Sequence, residues 1–586
     1  MKPFLSKRLC SFTYLNITQF LGALNDNVFK LLLVFFLIDL QGEEKSSTIL
    51  AKAGAVFVIP FLLFSTPSGK LADRFSKRNI IIFSKGLEVV VMFLGILSFL
   101  LKTPTGAYTT LFLMATQSSI FSPSKYGIIP ELVKPENISK ANGLLTSFTF
   151  LAIIIGTFLA SFITDISNRN FLFATSSCLL IAIVGLATSL HIQYTPPVGC
   201  KKKFSPFFFY EVYKTIRLAK QHNRLFCAIM GSAFFLFIGA YLQLNIIPFT
   251  IQSLKKTDVQ GGYLFLITAL GIGTGSFIAG KISGKHIELG LTPIAGYGMA
   301  LSCFFLYLLE PLLYTVIPLI ISVGLFGGIW IVPFDSFIQT ASPAKVRGQM
   351  VATTNFLSFV GVLLASGVLY FLSEILHLKA SQGFLFIALF SFLITLGINI
   401  VIMDYFLRFI ASIISRLFFR LSIFGESDTP SSPCLILCNK SSLFLEILVL
   451  TSIHPPPFRF LIESKQHKKS WAKTLCSILR VSLVPPQYTL EQKETLYNTV
   501  KSHLKKGCTI CLFAKNAKKN IDVISKYQED FQSLLKNTPF SIRPVKIQAP
   551  FFSPSSTPLF SLLKNFPWDV HISFAAVKHI EKNKKV

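Results

Sequence analysis

The chain has 586 residues, of which 52% are hydrophobic and only 14% are charged. A soluble globular domain carries about 25% charged residues, so a lipid bilayer must cover much of a chain this apolar. The formal net charge of +29 indicates basic loops beside anionic lipid. Nucleic acid is the alternative partner of a basic chain, but no nucleic-acid-binding motif occurs, so we expect none.

Apolar runs of about 20 residues recur along the chain, and each is long enough to cross about 30 Å of hydrocarbon. The first run follows basic residues without a small-residue cleavage site, which indicates a span and not a removed signal peptide. The first set of predicted spans is 11–40, 48–67, 80–101, 109–129, 143–164 and 171–190. The second set is 225–250, 261–280, 293–309, 314–334, 351–372 and 383–406. The sequence therefore predicts an all-α membrane domain over 1–406, with twelve spans in a 6+6 arrangement.

Lysine and arginine are concentrated in alternate loops. They are Lys2, Lys7 and Arg8, then Lys70, Arg74, Lys77 and Arg78, then Lys125, Lys134 and Lys140, and seven further residues between 201 and 224. The intervening loops are short and poor in basic residues, apart from Lys255 and Lys256. The positive-inside rule then predicts that both termini and the central gap are cytoplasmic.

Composition changes after the last span. Residues 407–424 combine Arg408, Arg416 and Arg420 with Phe, Ile and Leu, a pattern typical of a basic interfacial helix, although a plain extension of the last span is the alternative. Residues 425–586 are Lys-rich, contain no spanning run, and are long enough for one small cytoplasmic α/β domain. Within it we predict strands at 435–437 and 509–513 and an amphipathic helix at 491–506.

The strongest motif lies between spans two and three, where Gly69 is followed four residues later by Asp73 and then by Arg74 and Arg78. This run resembles the signature of major facilitator transporters. Gly69 permits close approach of two helices, and Asp73 can lie against the positive N-terminal end of a neighbouring helix. We interpret the run as a conformational latch between two halves; a plain basic loop is the alternative.

Two internal repeats support related halves. A fainter copy of the motif occurs at Gly280-Lys281, with Gly284 in place of the acid, so we expect a weaker second latch. In addition, 121–130 leading to Asn142 parallels 332–339 leading to Asn355. Both runs place a Pro near the end of one span and an Asn at the start of the next.

Charges within spans are costly, and each is a functional candidate. Asp26 and Lys30 are four residues apart on one helix face, so they either neutralise each other or bind the two charges of a zwitterion. Lys85 and Glu88, three residues apart, are more simply an internal ion pair. Asp335 lies in span ten, where it either adds a polar group or reaches the cytoplasmic interface.

The run 19–30 closely resembles the first span of bacterial lysophospholipid transporters, as do 121–130 and 280–291. The resemblance implies a major facilitator unit in the bacterial inner membrane that moves lysophospholipid, chiefly lysophosphatidylethanolamine, into the cytoplasmic leaflet. It also implies a site for this substrate, without a cofactor. The candidate substrate-binding residues are Asn25, Asp26, Asn27, Lys30 and Lys125.

The C-terminal region resembles the glycerolipid acyltransferase domain fused to many members of that family. The family's Asn-His-x-x-x-x-Asp motif, in which His is the general base, falls on Asn439, but Lys440 replaces His and Leu445 replaces Asp. Glu446 lies one residue late, and Lys515 replaces the acid of a second motif. We therefore predict a degenerate acyltransferase fold without catalytic residues, able to dock membrane lipid, acidic acyl carrier protein or a separate acyltransferase or synthetase.

Cysteines occur on both predicted strands of this domain, at 434, 438, 508 and 511. A zinc site would need them to converge, whereas residues three apart on a strand point to opposite faces. We therefore expect buried small hydrophobic residues and no metal. Three functions compete: a lysophospholipid transporter with an accessory domain, a bifunctional transporter and acyltransferase, and a transporter of another small amphiphile.

Overall fold

The computed structural model divides the chain into two compact units, Met1–Val401 and Ile402–Val586. It describes residues 2–199, 208–283, 287–309, 312–424, 434–439, 444–453, 458–463, 481–484, 498, 500–504, 508–514, 541–548 and 568–574. The boundary falls five residues before the predicted 406, because a new helix begins at Met403 and belongs to the second unit.

The first unit is a helical bundle. Its first half contains α1 Lys2–Gln41, α2 Ser46–Arg74, α3 Lys77–Leu100, α4 Pro104–Gly127, the single turn α5 Ile129–Leu132, α6 Ile138–Ile166 and α7 Phe171–Leu190. The helix α8 Phe208–Lys220 links the halves. The second half contains α9 Asn223–Gln252, α10 Asp258–Ser283, α11 Leu291–Leu308, α12 Leu313–Ala341, α13 Arg347–Tyr370 and α14 Ala380–Val401. A π-helical turn, Phe371–Ile375, follows α13.

Eleven helices of the described residues are long and apolar enough to cross a membrane. The remaining predicted span, 109–129, corresponds to α4, which is 24 residues long but less apolar, because Thr116, Gln117, Ser118 and Ser119 occupy its middle. Each of the twelve predicted spans thus coincides with a long helix. The last prediction, 383–406, is wrong at its end, since α14 stops at Val401.

Packing within each half follows from the apolar faces. In the first half α1 packs on α6 and α7, and α3 on α4 and α7, around a core that includes Phe29, Phe36 and Phe99. In the second half α9 packs on α13, and α11 on α12 and α14. The halves meet along two seams, α2 against α13 and α6 against α10.

The second unit begins with α15 Met403–Phe418 and contains α16 Phe444–Ile453. Its strands are β1 Phe419–Phe424, β2 Cys434–Asn439, β3 Phe458–Glu463, β4 Val481–Val484, β5 Thr509–Ala514, β6 Ser541–Gln548 and β7 Trp568–Phe574. They form one sheet in the order β1-β7-β6-β2-β5-β3-β4, parallel except where β6 meets β7. The predicted strands at 435–437 and 509–513 therefore exist and are neighbours.

Two expectations for this unit change. The segment 407–424 is not one helix, because the chain leaves α15 after Phe418 and pairs as β1 with β7. The predicted helix 491–506 lies largely outside the described residues, although 500–504 are helical. Cys434, Cys438 and Cys511 pack in the hydrophobic core of the sheet, so they act there as small apolar side chains.

Candidate functional site

Asp73 lies at the seam between α2 and α13. Its Oδ1 accepts the backbone N–H of Gly348 at 2.6 Å, and its Oδ2 accepts the backbone and side-chain N–H of Gln349 at 3.0 and 3.1 Å. These donors belong to the first turn of α13, where backbone N–H groups have no partner within the helix. The carboxylate therefore caps the positive end of a helix from the other half, a placement that the sequence predicts from the motif.

We call the end of the bundle that carries residues 69–78 the motif end. There Gly69 and Gly348 bring the two helices into backbone contact, since a Cβ at Gly69 would lie 2.7 Å from the Gly348 carbonyl oxygen. The second seam has the same kind of glycine contact, because a Cβ at Gly143 of α6 would lie 3.0 Å from the Gly280 Cα of α10. Both seams thus depend on facing glycines.

The basic residues of the motifs do not cross the seams. Arg78 donates to the Leu190 and Ile192 carbonyls at the end of α7, in its own half. Arg74 is exposed and lies over the Phe75 ring, and Lys281 is exposed. The structure therefore brings Gly69, Asp73 and Gly280 to the seams but leaves these three cations away from them.

Two lysines of the motif run 69–78, Lys70 and Lys77, form ion pairs. Lys70 pairs with Glu211 of α8 at 3.1 Å, and both side chains are largely buried. Lys77 pairs with Glu131 of α5 at 2.6 Å. The first pair ties α2 to the helix that links the halves, and sequence reasoning missed it.

The paired repeats of the sequence interlock across the halves. Asn142 of α6 and Gln339 of α12 exchange amide hydrogen bonds of 3.0 and 2.8 Å, and Asn142 also donates to Ser336. At the equivalent position of the other repeat, Asn355 of α13 donates to Ser122 of α4 at 2.9 Å. Each Asn therefore binds the Pro-containing helix of the opposite half, a pairing that the repeat alone does not reveal.

A buried polar network lies inside the first half. Lys85 and Glu88 form an ion pair of 2.5 Å, with each side chain 1% exposed, which confirms the predicted internal pair. Asn25 donates to the other Glu88 oxygen at 2.8 Å, and Gln117 lies 3.4 Å from Glu88. Gly22 makes room for the Lys85 ammonium, because a Cβ at this position would overlap it.

Asp26 occupies the middle of α1, beside this network. Its Oδ2 accepts the Ser118 hydroxyl at 2.7 Å. Among the described residues no ion pair joins Asp26 to Lys30, whose ammonium lies 5.1 Å from the centre of the Phe57 ring. The alternative in which Asp26 and Lys30 neutralise each other is therefore wrong. Asn27 donates to the Ala23 carbonyl of its own helix.

An internal cavity of about 400 Å³ lies between the two halves. Most of its lining is apolar, and its polar residues include Tyr126 and Thr149 from the first half and Ser232, Gln243 and Asp335 from the second. Ser232 donates to Asp335 at 3.0 Å. Asp335 thus faces the interior, and the interpretation that it reaches the interface is wrong.

Lys125 connects the two acidic groups electrostatically. Its ammonium lies 5.8 and 4.8 Å from the ring centres of Phe121 and Tyr126. Asp26 and Asp335 both attract it electrostatically, although among the described residues it forms no ion pair with either. Asp26 and Lys125 come from the first half and Asp335 from the second. We call these three residues the charged triad; it brings together two of the predicted substrate residues and one that sequence reasoning left open.

The positions that the sequence analysis compares with acyltransferase motifs follow two neighbouring strands. β2 and β5 are parallel and in register, with Asn439 opposite Ala514, so the carboxyl ends of both strands lie at the same edge of the sheet. Lys440 and Lys515 lie outside the described residues. Leu445 and Glu446 belong to the first turn of α16. The strand ends thus meet where α/β folds place their sites.

Residues 15–366 match the family profile of the Major Facilitator Superfamily. The chain belongs to this superfamily. Major facilitator bundles are built from two six-helix halves around a central site. The two halves of this chain, which meet at the seams and enclose the cavity, have the same arrangement.

The matched relatives include lysophospholipid transporters. The lysophospholipid transporter LplT of Klebsiella pneumoniae (strain 342) is 27% identical over 356 residues, which cover 60% of this chain and 85% of that protein. LplT of Enterobacter sp. (strain 638) is 29% identical over 358 residues, with the same coverage. LplT of Escherichia coli (strain K12 / DH10B) is 26% identical over 387 residues, covering 65% and 93%.

Solved structures share the major facilitator fold. The Escherichia coli fucose:proton symporter FucP superposes with a TM-score of 0.56 at 14% identity, covering 67% of this chain and 98% of that one. The human organic anion transporter MFSD10 gives a TM-score of 0.54 at 14% identity, covering 66% and 99%. At this identity the likeness concerns the fold alone.

Proposed function

We propose that the chain moves lysophospholipid across the bacterial inner membrane into the cytoplasmic leaflet, where it is re-acylated. The similarity to LplT proteins supports the substrate class. Lysophosphatidylethanolamine is the proposed substrate, since its head group carries one positive and one negative charge.

The charged triad beside an apolar cavity is the observation that carries this proposal. A lysophospholipid has one apolar chain and a small polar head. The cavity offers aromatic and aliphatic side chains such as Phe150 and Phe235 for the chain. Asp335 lines the cavity, and Lys125 directly precedes the cavity-lining Tyr126. The triad thus brings both signs of charge near the head, where unpaired charges would otherwise be costly.

The distribution of cross-half contacts supports alternating access. The hydrogen bonds of Asp73, Asn142 and Asn355 across the halves lie towards the motif end, as do the two glycine contacts. The basic loops at this end support a cytoplasmic location, with both termini on that side. On this proposal the structure is closed towards the cytoplasm, and rocking of the halves delivers the head group there.

We further propose that the second unit is a non-catalytic accessory domain that docks acyl carrier protein or a separate acyltransferase or synthetase. Lys440 and Leu445 in place of His and Asp support this. The alternative is a bifunctional protein that itself acylates the transported lipid, and the convergence of β2 and β5 at one sheet edge favours it. Acyl transfer by the full chain that Glu446→Ala abolishes would establish the alternative.

The decisive experiment measures transport of fluorescent lysophosphatidylethanolamine in proteoliposomes containing the full chain. Asp26→Asn keeps the side-chain shape but removes a charge of the triad, so we expect at least about a tenfold lower rate, equivalent to about 1.4 kcal/mol. Asp165→Asn, an exposed position at the end of α6, is the matched control. Wild-type rates no faster than empty liposomes would overturn the proposal.

A further inference from the structure

Another cavity, of about 630 Å³, lies within the first half and shares no lining residue with the cavity between the halves. It is lined by α1, by α6 and by the turn 132–137 that leads into α6, and we call it the α1–α6 groove. The ion pair of Lys77 with Glu131 places this turn at the motif end. Small-molecule sites have volumes of about 300–1,000 Å³, so the groove is large enough for a guest.

The lining of the groove changes from polar to apolar with distance from the motif end. α1 and α6 both begin at that end and run side by side, since the Gln19 amide donates to the Leu145 carbonyl at 3.2 Å. At the deep end the Phe20 and Phe148 rings meet edge to face, with their centres 6.0 Å apart. The polar residues at the mouth are Thr13, Lys134, Glu136, Asn137 and Lys140, and the apolar ones below them include Ile17 and Leu144. The groove therefore has the polarity of an amphiphile whose head lies at the membrane surface.

Asn16 lies between the polar mouth and the apolar part, and its side chain is only 9% exposed. Its Oδ1 accepts the Gln19 amide at 3.1 Å. The described residues supply no acceptor for the amide N–H groups of Asn16 itself. A buried donor without an acceptor is costly, so a guest oxygen at this depth would satisfy Asn16.

The mouth of the groove carries an excess of positive charge. Lys134 and Lys140 are exposed, and among the described residues neither forms an ion pair. Two lysines and one carboxylate, Glu136, give the lining a net charge of +1. Basic pockets between membrane helices on the cytoplasmic side are typical sites for anionic lipid head groups, and the proposed orientation places this end in the cytoplasm.

We propose that the α1–α6 groove binds an anionic diacyl phospholipid of the surrounding membrane. Lys134 and Lys140 bind its phosphate, Asn16 donates to an ester carbonyl oxygen, and one acyl chain lies in the apolar part. This site is separate from the cavity between the halves, so the inference does not depend on which lipid the chain transports.

The open side of the groove favours a lipid over a protein segment as the occupant. Ile17 and Phe148 line it and are 40% and 39% exposed, within helices long and apolar enough to span the membrane. The groove is therefore open sideways to hydrocarbon. A non-helical peptide there would leave backbone N–H and C=O groups unsatisfied, whereas an acyl chain has none.

The test titrates the delipidated full chain in detergent with dioleoylphosphatidylglycerol and follows the lipid-bound species by native mass spectrometry. Dioleoylphosphatidylcholine, whose head group has no net charge, is the comparison. We expect the first phosphatidylglycerol to bind at least about tenfold more tightly than phosphatidylcholine. Lys134→Gln with Lys140→Gln should remove most of this preference. Lys255→Gln with Lys256→Gln removes the same charge from exposed positions outside the groove, so this matched control should keep it.

Two further variants test the lower part of the groove. Asn16→Leu removes the amide donor at similar volume, and Ile17→Trp fills the groove from its open side. Both should weaken the two lipids alike, because the lipids share the ester groups and the acyl chains. Phosphatidylglycerol should also raise the midpoint of thermal unfolding of the wild type, and the lipid-free midpoint of each variant shows whether it is folded.

Three results would overturn the inference. One is an unchanged phosphatidylglycerol affinity in the folded Lys134→Gln, Lys140→Gln variant. Another is an equal loss in the Lys255→Gln, Lys256→Gln control, which would indicate attraction by overall charge and no defined site. The third is displacement of phosphatidylglycerol by equimolar lysophosphatidylethanolamine, which would make the groove an entry site for the transported lipid.

Discussion

Replacement of Asp73 by Asn tests whether this carboxylate holds the halves together at the motif end. Both of its oxygens accept hydrogen bonds from the start of α13. An amide therefore has to present its NH2 group to an N–H donor whichever way it is oriented. The substitution keeps the side-chain volume between Gly69 and Gly348, so it changes charge and hydrogen bonding and not packing.

The magnitude follows from these contacts. A hydrogen bond to a charged group contributes about 1.5–3 kcal/mol, and a charge at a helix N-terminus about 0.3–1 kcal/mol. Water hydrates Asp73 when the seam opens, so the lower end applies, about 2 kcal/mol. That is roughly a 30-fold shift of the equilibrium towards the state that is open at the motif end.

Distance measurements by electron paramagnetic resonance provide the assay. Spin labels at Asn79→Cys and Lys345→Cys, two exposed positions on opposite halves, report the opening in a variant otherwise free of cysteine. We expect a longer distance to dominate in the Asp73→Asn background, with Asp165→Asn resembling the wild type. An unchanged distance distribution would show that the Asp73 cap does not hold the seam.

Two further ion pairs give predictions of different kinds. Lys85→Met leaves the Glu88 carboxylate buried without its cation, so we expect a loss of about 3–5 kcal/mol in stability. In thermal unfolding, the double variant with Glu88→Gln should recover most of this loss. Equal losses in the single and the double variant would argue against the pair. Glu211→Gln removes the partner of Lys70 on the linking helix, so the same spin labels should report more of the open state. Exchanging the two residues, Lys70→Glu with Glu211→Lys, should restore the closed distance. If the open state persists in the exchanged variant, the effect of Glu211→Gln does not come from charge pairing.

The parts of the site that could be predicted from sequence are those with a local signal. Lys85 and Glu88 are three residues apart on one helix, a spacing that favours the contact they make. The Gly69 and Asp73 motif carries its own geometry, since an acid in the last turn of one helix is stabilised by the positive N-terminus of a neighbouring helix. The two strands β2 and β5 were predictable because short apolar runs interrupt a polar region.

The rest depends on contacts between distant segments. Asn142 and Gln339 are 197 residues apart, and nothing local to either indicates the other. The direction of Asp335 was not predictable, because the long apolar run before it in α12 has no face that marks the interior. Asp26 and Lys30 share a face, yet Ser118 of α4 and Phe57 of α2 are their neighbours. Tertiary packing decided between two local alternatives.

The two seams use the same glycine contact but differ in what secures it. At α2 and α13 the Asp73 carboxylate adds three hydrogen bonds to the contact. At α6 and α10 the Ser147 hydroxyl donates to the Gly273 carbonyl at 2.7 Å, and Gly284 takes the place of the acid in the sequence. Charge therefore stabilises one seam, whereas neutral contacts stabilise the other.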